Sequence, residues 1–276
     1  MLSREPIDMK RIFLILALIP LLASGGQSIV NTGNHRKVFP SGGGCSPPAT
    51  VSRWAAYNSS VLCTGSVACT DGAQGVSQPD FNAANNAVNT NGTGTTGGPV
   101  YKVSQINGLP AWQFGTLASE LWFDLASGIP QTGSITFYAV IKSYSIVEPS
   151  SAAIIGVSAG HEMEWGINTN NKQFANSQGA TALGTGTNAL TTSTNYTLAM
   201  TYTYSTGALA FYNCSSGTCN ADGTATQTAS FPNPTNRLGS ATDANDPFKG
   251  YVAEWGWTNS ATTAGIAAWS QCKYGI

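Results

Sequence analysis

Charge is what this chain has least of. Asp, Glu, Lys and Arg make up 9% of its 276 residues and the net charge is -1, where an ordinary globular chain carries roughly a quarter charged residues. No basic field exists to hold nucleic acid or an anionic bilayer surface. Histidine is confined to His35 and His161, and no Cys-x-x-Cys pair occurs, so the usual zinc spacings are excluded. The twelve-residue EF-hand pattern is missing, as is any internal repeat. The longest apolar run, Ile12 to Leu22, is broken by Pro20 and is too short to span a bilayer. Helical patterning is limited to one short stretch, Thr262 to Ser270.

What is present begins with an export signature. Lys10 and Arg11 precede the apolar run, and Ala23, Ser24, Gly25 and Gly26 follow it. A basic flank, an apolar centre and a small-residue end are the parts of a secretory signal. Residues 1–25 therefore read as a signal peptide, and the mature chain as secreted, extracellular or periplasmic. Met9 fits as a start better than Met1, since Arg4, Glu5 and Asp8 suit a signal poorly. No cysteine follows the run at a lipobox position, so no lipid anchor is indicated. Residues 26–44, ending in Ser41-Gly42-Gly43-Gly44, read as a linker. Residues 45–276 then form one domain, long enough to bury a sizeable core.

All six cysteines lie in that domain. An even number in an exported chain implies disulfides, with fifteen pairings open on arithmetic alone. Cys214 and Cys219 flank Ser215-Ser216-Gly217-Thr218, a hairpin tip, and Cys63 and Cys69 flank a similar short loop. Cys45 then pairs with Cys272, tying the ends of the domain together.

From Cys45 to about Gly98 the chain is rich in Asn, Thr and Gly, which suits edge strands and long loops. Beyond Val100 strand patterning dominates. Thr136, Tyr138, Val140 and Lys142 alternate with Ile135, Phe137, Ala139 and Ile141. Leu198, Met200, Tyr202 and Tyr204 alternate with Thr197, Ala199, Thr201 and Thr203. Period two with β-branched and aromatic enrichment marks half-buried strands. Asp246 to Trp257 carries bulky residues on both faces and so must be covered on both. Turn dipeptides at Asn107-Gly108, Ser127-Gly128, Thr206-Gly207 and Asp222-Gly223 separate the strands. Many strands without intervening helices define an all-β fold: a two-sheet antiparallel sandwich with one short C-terminal helix.

Several motifs follow one another in an order that resembles laminin-G-like domains of the concanavalin A-like superfamily. They are Ile106-Asn107-Gly108-Leu109-Pro110-Ala111-Trp112-Gln113-Phe114, the strand from Ser134 to Lys142, Glu164-Trp165-Gly166-Ile167-Asn168, the paired strands from Thr197 to Asn213, and Phe231 to Trp257 with Phe248-x-Gly250-x-Val252-Ala253-Glu254. The resemblance covers roughly residues 100 to 270 and implies a jelly-roll sandwich. That superfamily holds lectins, adhesion modules, glucanases and structural domains, so it does not fix a function.

Three constellations could carry chemistry. Gly156-Val157-Ser158-Ala159-Gly160 matches the nucleophile elbow, which needs a strand before it, a helix after it and a histidine downstream. The stretch that follows alternates like a strand and no later histidine exists, so a turn between strands is expected instead. Glu162 and Glu164, two apart on a strand, share a face, while Met163, Trp165 and Ile167 point to the core. The resemblance to sandwich glucanases suggests a carboxylate pair here, but the acid/base positions hold Gly166 and Ile167, and the alternative is two solvated glutamates. Glu120, Trp122 and Asp124 also share a face, opposite Leu121, Phe123 and Leu125. A ring beside carboxylates suits a sugar, and Tyr138 would join them if the strands were neighbours; the alternative is a Trp122 buried in a second layer. Asp243, Asn245 and Asp246 could hold calcium on the sandwich rim, although Asx-rich turns are common without metal. Asn58, Asn91, Asn195 and Asn213 begin Asn-x-Ser/Thr sequons, which matter only in a host that glycosylates.

The sum of these expectations is a secreted, non-catalytic binding module for carbohydrate or a cell-surface glycan. A structural surface or appendage protein is the alternative, and a glucanase-like hydrolase stands third. Glu120, Trp122, Asp124, Tyr138, Glu162 and Glu164 are the residues expected to meet a glycan, with no catalytic centre and no nucleic-acid partner.

Overall fold

The computed structural model describes residues 44–82, 85–89, 97–115, 122–130, 132–143, 152–156, 163–177, 181–229, 231, 235–240 and 248–276. The signal segment and, apart from Gly44, the linker lie outside them. In chain order the strands are β1 (Ser52–Ala55), β2 (Leu62–Cys63), β3 (Val67–Ala68), β4 (Gly75–Gln78), β5 (Ala87–Val88) and β6 (Val100–Ile106). Next come β7 (Leu109–Phe114), β8 (Phe123–Ile129), β9 (Ser134–Ser143), β10 (Ala152–Gly156), β11 (Met163–Ile167) and β12 (Gln173–Ser177). The set closes with β13 (Thr181–Thr185), β14 (Asn195–Thr203), β15 (Ala208–Ser215), β16 (Thr218–Thr226), β17 (Thr235–Leu238), β18 (Gly250–Thr258) and the helix α1 (Ile266–Tyr274).

These strands form two antiparallel sheets, as the period-two patterning predicts. The first runs β16-β15-β14-β9-β18-β7-β6, with β1 also paired to β18; the second runs β13-β12-β11-β10-β17-β8-β5-β4-β2-β3. The main core lies between them. Trp112, Phe137, Met200, Phe211, Trp255 and Val252 come from the first sheet. Phe123, Leu125, Ile155, Met163, Trp165 and Leu238 come from the second. Each such side chain removed from water contributes about 1.5–3 kcal/mol. The central strand β9 is buried on both faces because a second layer covers it: Tyr138 and Ala199 pack against Ile266 and Ala267 of α1. That is why Asp246 to Trp257 and the β9 sequence read as apolar on both sides.

The helix starts four residues later than the expected Thr262. Thr262 N donates to Thr136 Oγ1 at 3.0 Å and Ala264 N to Thr262 Oγ1 at 3.1 Å, so the preceding segment is held as a turn. Gly265, with φ 79°, then begins the helix, and Gly275 closes it by donating its N–H to Gln271 O. Lys273 sits in the last turn, where the helix dipole favours a cation.

All three disulfides form as expected: Cys45–Cys272, Cys63–Cys69 and Cys214–Cys219. Cys214 and Cys219 are direct cross-strand partners on β15 and β16.

Gly256 shows how closely the outer layer sits. The Tyr138 ring lies across it, and a Cβ there would fall well inside contact distance of Tyr138 Cε1. Gly256→Ala is expected to destabilise the fold by about 1–3 kcal/mol, because neither the ring nor the strand can move away in a packed layer. A chemical denaturation curve with an unchanged midpoint would show that the ring has room to shift.

Candidate functional site

Among the described residues, one polar cluster is closed beneath the helix and another lies on the outer face of the second sheet. The closed one centres on Glu254 of β18, fully buried under α1. Its Oε1 accepts from Tyr138 O–H at 2.7 Å and Trp269 Nε1–H at 2.7 Å. Its Oε2 accepts from Tyr274 O–H at 2.8 Å and Tyr57 O–H at 3.1 Å. Arg53 lies 3.5 Å from Oε2, donates to Tyr57 at 2.7 Å, and packs over the Phe81 ring at 4.0 Å. Burial, then the nearby Glu254 charge, pushes the Tyr138 and Tyr274 hydroxyls well above their ordinary value. With so many donors converging on one carboxylate, this hub joins β1, β9, β18 and α1 and leaves no place for a ligand.

This placement corrects the expectation for Tyr138. It joins Trp122 on a sugar platform only if their strands are neighbours, and they are not, since β9 belongs to the first sheet and the Trp122 segment leads into β8 of the second. Tyr138 is fully buried and serves the Glu254 hub.

The other cluster is on the outer face of the second sheet. Met163, Trp165 and Ile167 fill the core, so Glu164 and Gly166 point the other way. The register carries that face sideways. Glu164 is opposite Asn176 of β12, and Asn176 is opposite Ala182 of β13. Gly166 is opposite Phe174 on one side and Ala153 on the other. Further along, Gly156 pairs with Arg237 of β17, and Arg237 pairs with Asp124 of β8. Among the expected glycan residues, the fold thus brings Glu164, Trp122 and Asp124 to one face. Glu120 and Glu162 lie outside the described residues, as do Asp243, Asn245 and Asp246.

Two of these side chains are not solvated, contrary to the sequence-based alternative for Glu164 and the open platform expected at Trp122. Glu164 is 3% exposed and Trp122 7% exposed. The Arg237 guanidinium covers the Trp122 ring at 4.2 Å and bonds Asp124 Oδ1 through Nε at 2.9 Å. Trp122 Nε1–H donates to Asp124 Oδ2 at 3.1 Å. This clasp uses both Asp124 oxygens and one face of the indole. It explains why Trp122 cannot stack on a sugar by that face. The sequence held a signal for Arg237, a lone cation within a strand of a charge-poor chain. Asn176 gave none, because β12 places polar Gln173 and Ser177 on its core side, which hides the alternation.

A carboxylate held out of water yet pointing away from the core is the type of group around which catalytic sites are built. Asp124 is not its partner. Three strand spacings separate β11 from β8, about 14 Å, whereas paired glycosidase carboxylates stand roughly 5–5.5 Å or 6.5–9.5 Å apart. Of the Gly-x-Ser-x-Gly segment only Gly156 is described, at the end of β10, and Ser158 lies outside the described residues; the next described element is β11, antiparallel to β10. Among the described residues no group of three or more His, Cys, Asp and Glu is placed to hold a metal, and no helix is long and apolar enough to cross a membrane.

Fold and face together define an all-β, two-sheet antiparallel sandwich with a carboxylate on one sheet's outer face. No protein-family model matches the chain, and no curated protein sequence matches it. Solved structures do. A GH54 α-L-arabinofuranosidase aligns with a TM-score of 0.56 at 11% identity, over 80% of this chain and 63% of its own. A Trypanosoma rangeli sialidase aligns with a TM-score of 0.50 at 9% identity, over 82% of this chain and 33% of its own. A pentraxin from Limulus polyphemus matches 53% of this chain at a TM-score of 0.40, too low to bear on the fold. The chain thus spans about a third of the sialidase and under two thirds of the arabinofuranosidase. At these identities the likeness is one of fold. It overturns the expectation of a non-catalytic module, which rested on fold type, because both structures aligned over four fifths of the chain are named as glycosidases.

Proposed function

We propose that this chain acts on glycans by hydrolysing a glycosidic bond, with Glu164 supplying one of the two carboxylates such chemistry requires. The observation that carries the reading is the Glu164 side chain: 3% exposed, on the sheet face opposite the core, in a row with Asn176, Arg237 and Asp124. In that position a carboxylate attacks an anomeric carbon or activates a water, and a second carboxylic acid protonates the departing oxygen. Glu162, which the sequence places two positions before Glu164, is the sequence candidate for that second group. The arabinofuranosidase likeness supports the substrate class, a neutral glycoside, and the laminin-G-like order of motifs supports the wider superfamily. The signal segment and three disulfides support an exported protein.

The test is direct. The full chain is incubated with a panel of 4-nitrophenyl glycosides, including the α-L-arabinofuranoside and the sialoside, and with polysaccharides, while released nitrophenol and reducing sugar are followed. Turnover of at least one substrate is expected. Glu164→Gln should lower kcat by about a thousandfold or more, the scale of losing a reacting carboxylate. A single Glu162→Gln variant then tests it as the partner. No release from any substrate, or a Glu164→Gln variant as active as the parent, ends this reading.

A further inference from the structure

We infer that Asn58 is a site at which this chain carries an N-linked glycan, and that Asn195, which begins a sequon of the same form, is not. The inference rests on the export proposed above, because the glycan donor and its transferase belong to a secretory pathway. It does not depend on Glu164. An Asn-x-Ser/Thr acceptor has to end in a surface turn, with room for a bulky polar group. A glycan joined before folding meets the same condition, since it must lie outside the finished domain.

Asn58-Ser59-Ser60 meets that condition atom by atom. The segment lies in the turn between β1 of the first sheet and β2 of the second. Asn58 N–H donates to Ala55 O at 3.0 Å and Val61 N–H donates to Asn58 O at 3.1 Å. The turn is thus held from both sides, and Val61 anchors it in the core. Asn58 is half-buried, while Ser59 and Ser60 are exposed. Asn58 Oδ1 accepts the Ser60 N–H at 3.0 Å, the short-range bond of an Asx turn. That bond fixes the amide by its oxygen. The nitrogen, Nδ2, donates no hydrogen bond among the described residues and is not one of the atoms shielded from solvent.

Asn195-Tyr196-Thr197 opens β14 and fails on each count. Asn195 Nδ2 donates to Asn107 Oδ1 at 3.0 Å, and its Oδ1 is shielded. Thr197 is fully buried, and its hydroxyl bonds that of Ser270 in α1. A glycan there would have to part the strand from the helix. Asn213-Cys214-Ser215 is no better placed. Asn213 is opposite Leu198, a core residue, so its side chain shares the face turned to the other sheet. Cys214 beside it is buried and bridged to Cys219. Asn91 lies outside the described residues.

In the covalent step Asn58 Nδ2 bonds to the anomeric carbon of a glycan carried on a lipid pyrophosphate. The anomeric C–O bond breaks, the lipid pyrophosphate leaves with its electron pair, and Nδ2 gives up one proton. No oxidant or reductant is consumed.

The full chain expressed in insect cells tests this. Disulfide-bonded protein from medium and cells is mapped by peptide mass spectrometry before and after peptide-N-glycosidase F, which leaves aspartate at each former attachment site. Asn58 should appear as aspartate after treatment and Asn195 as asparagine. Asn58→Gln and Ser60→Ala should each abolish the glycan at this turn, and Ser60→Thr should keep it. Both Ser60 variants retain the backbone N–H that holds Asn58 Oδ1, so a difference between them reports the acceptor motif and not the turn. All three are surface changes and should leave the melting temperature nearly unchanged. The inference is overturned if Asn58 stays asparagine in the folded protein, if Asn195 is converted, or if Ser60→Ala keeps the glycan. A glycan at Asn58 without turnover of any glycoside would remove the hydrolytic reading and leave this one standing. Turnover by a chain that never carries a glycan at Asn58 would do the reverse.

Discussion

Glu254→Leu is expected to lower the stability of the domain by about 3–5 kcal/mol, as much as a single side chain outside the inter-sheet core can. Four donors from Tyr57, Tyr138, Trp269 and Tyr274 converge on this carboxylate, and Arg53 lies beside it at 3.5 Å. Leucine fills a similar volume but leaves every one of those groups buried without an acceptor, and leaves the guanidinium without its counter-charge. Glu254→Gln keeps one acceptor oxygen and should cost roughly half as much. Denaturant midpoints of the two variants measure this. A loss under 1 kcal/mol for leucine would mean that water or a rearranged helix satisfies the donors. The same hub predicts a pH dependence. Burial, then the Glu254 charge, raises the Tyr138 and Tyr274 hydroxyls above the unfolded value of about 10. The folded chain therefore holds protons that the unfolded chain releases. Their stabilisation is complete below about pH 10 and is lost as pH rises beyond it. Thermal melts across pH 8 to 12 should fall on the alkaline side, and a flat profile there would contradict the assignment.

Removing the Cys45–Cys272 bridge, as Cys45→Ser with Cys272→Ser, is expected to have the second largest effect. The two cysteines are 227 positions apart in sequence. A cross-link that closes so long a loop constrains the unfolded chain most, contributing about 2–5 kcal/mol. The other two bridges close loops of 6 and 5 positions, and because loop-closure entropy grows with the logarithm of length they contribute less. Cys272 sits in α1, so the double variant also frees the end of the helix that carries Tyr274 to Glu254. Melting temperatures should therefore fall most for this pair and much less for either short-loop pair, Cys63→Ser with Cys69→Ser or Cys214→Ser with Cys219→Ser. The reverse order would show that local packing at the Cys63 loop outweighs chain entropy.

The strands were legible wherever one face differed from the other. β9 and β14 follow the alternation of Ile135 to Lys142 and Thr197 to Tyr204 almost residue for residue, β9 extending one position at each end and β14 starting two positions earlier and ending one earlier. The disulfides were legible because hairpin tips put Cys214 beside Cys219 and Cys63 beside Cys69. The helix was legible in kind but not in place, since Thr136, a residue 126 positions away, holds Thr262 in a turn. The candidate site was half legible. Glu164, Trp122 and Asp124 were recognised by face-sharing within single strands, and the fold assembles them on one sheet. Whether Tyr138 joins them was not legible, because period two says which residues share a face of one strand but not which strands share a sheet.

Sequence alone thus determined the all-β class, the strand faces and the cysteine pairs, because each depends on residues within a few positions of one another or on counting. Only the tertiary structure decided that Glu254 is a closed hub, that Arg237 seals Trp122, and that Asn176 and Phe174 flank Glu164. Those outcomes depend on cross-strand register and on which layer covers which sheet. Both are set by contacts between residues tens to hundreds of positions apart, whose pairing no local pattern encodes.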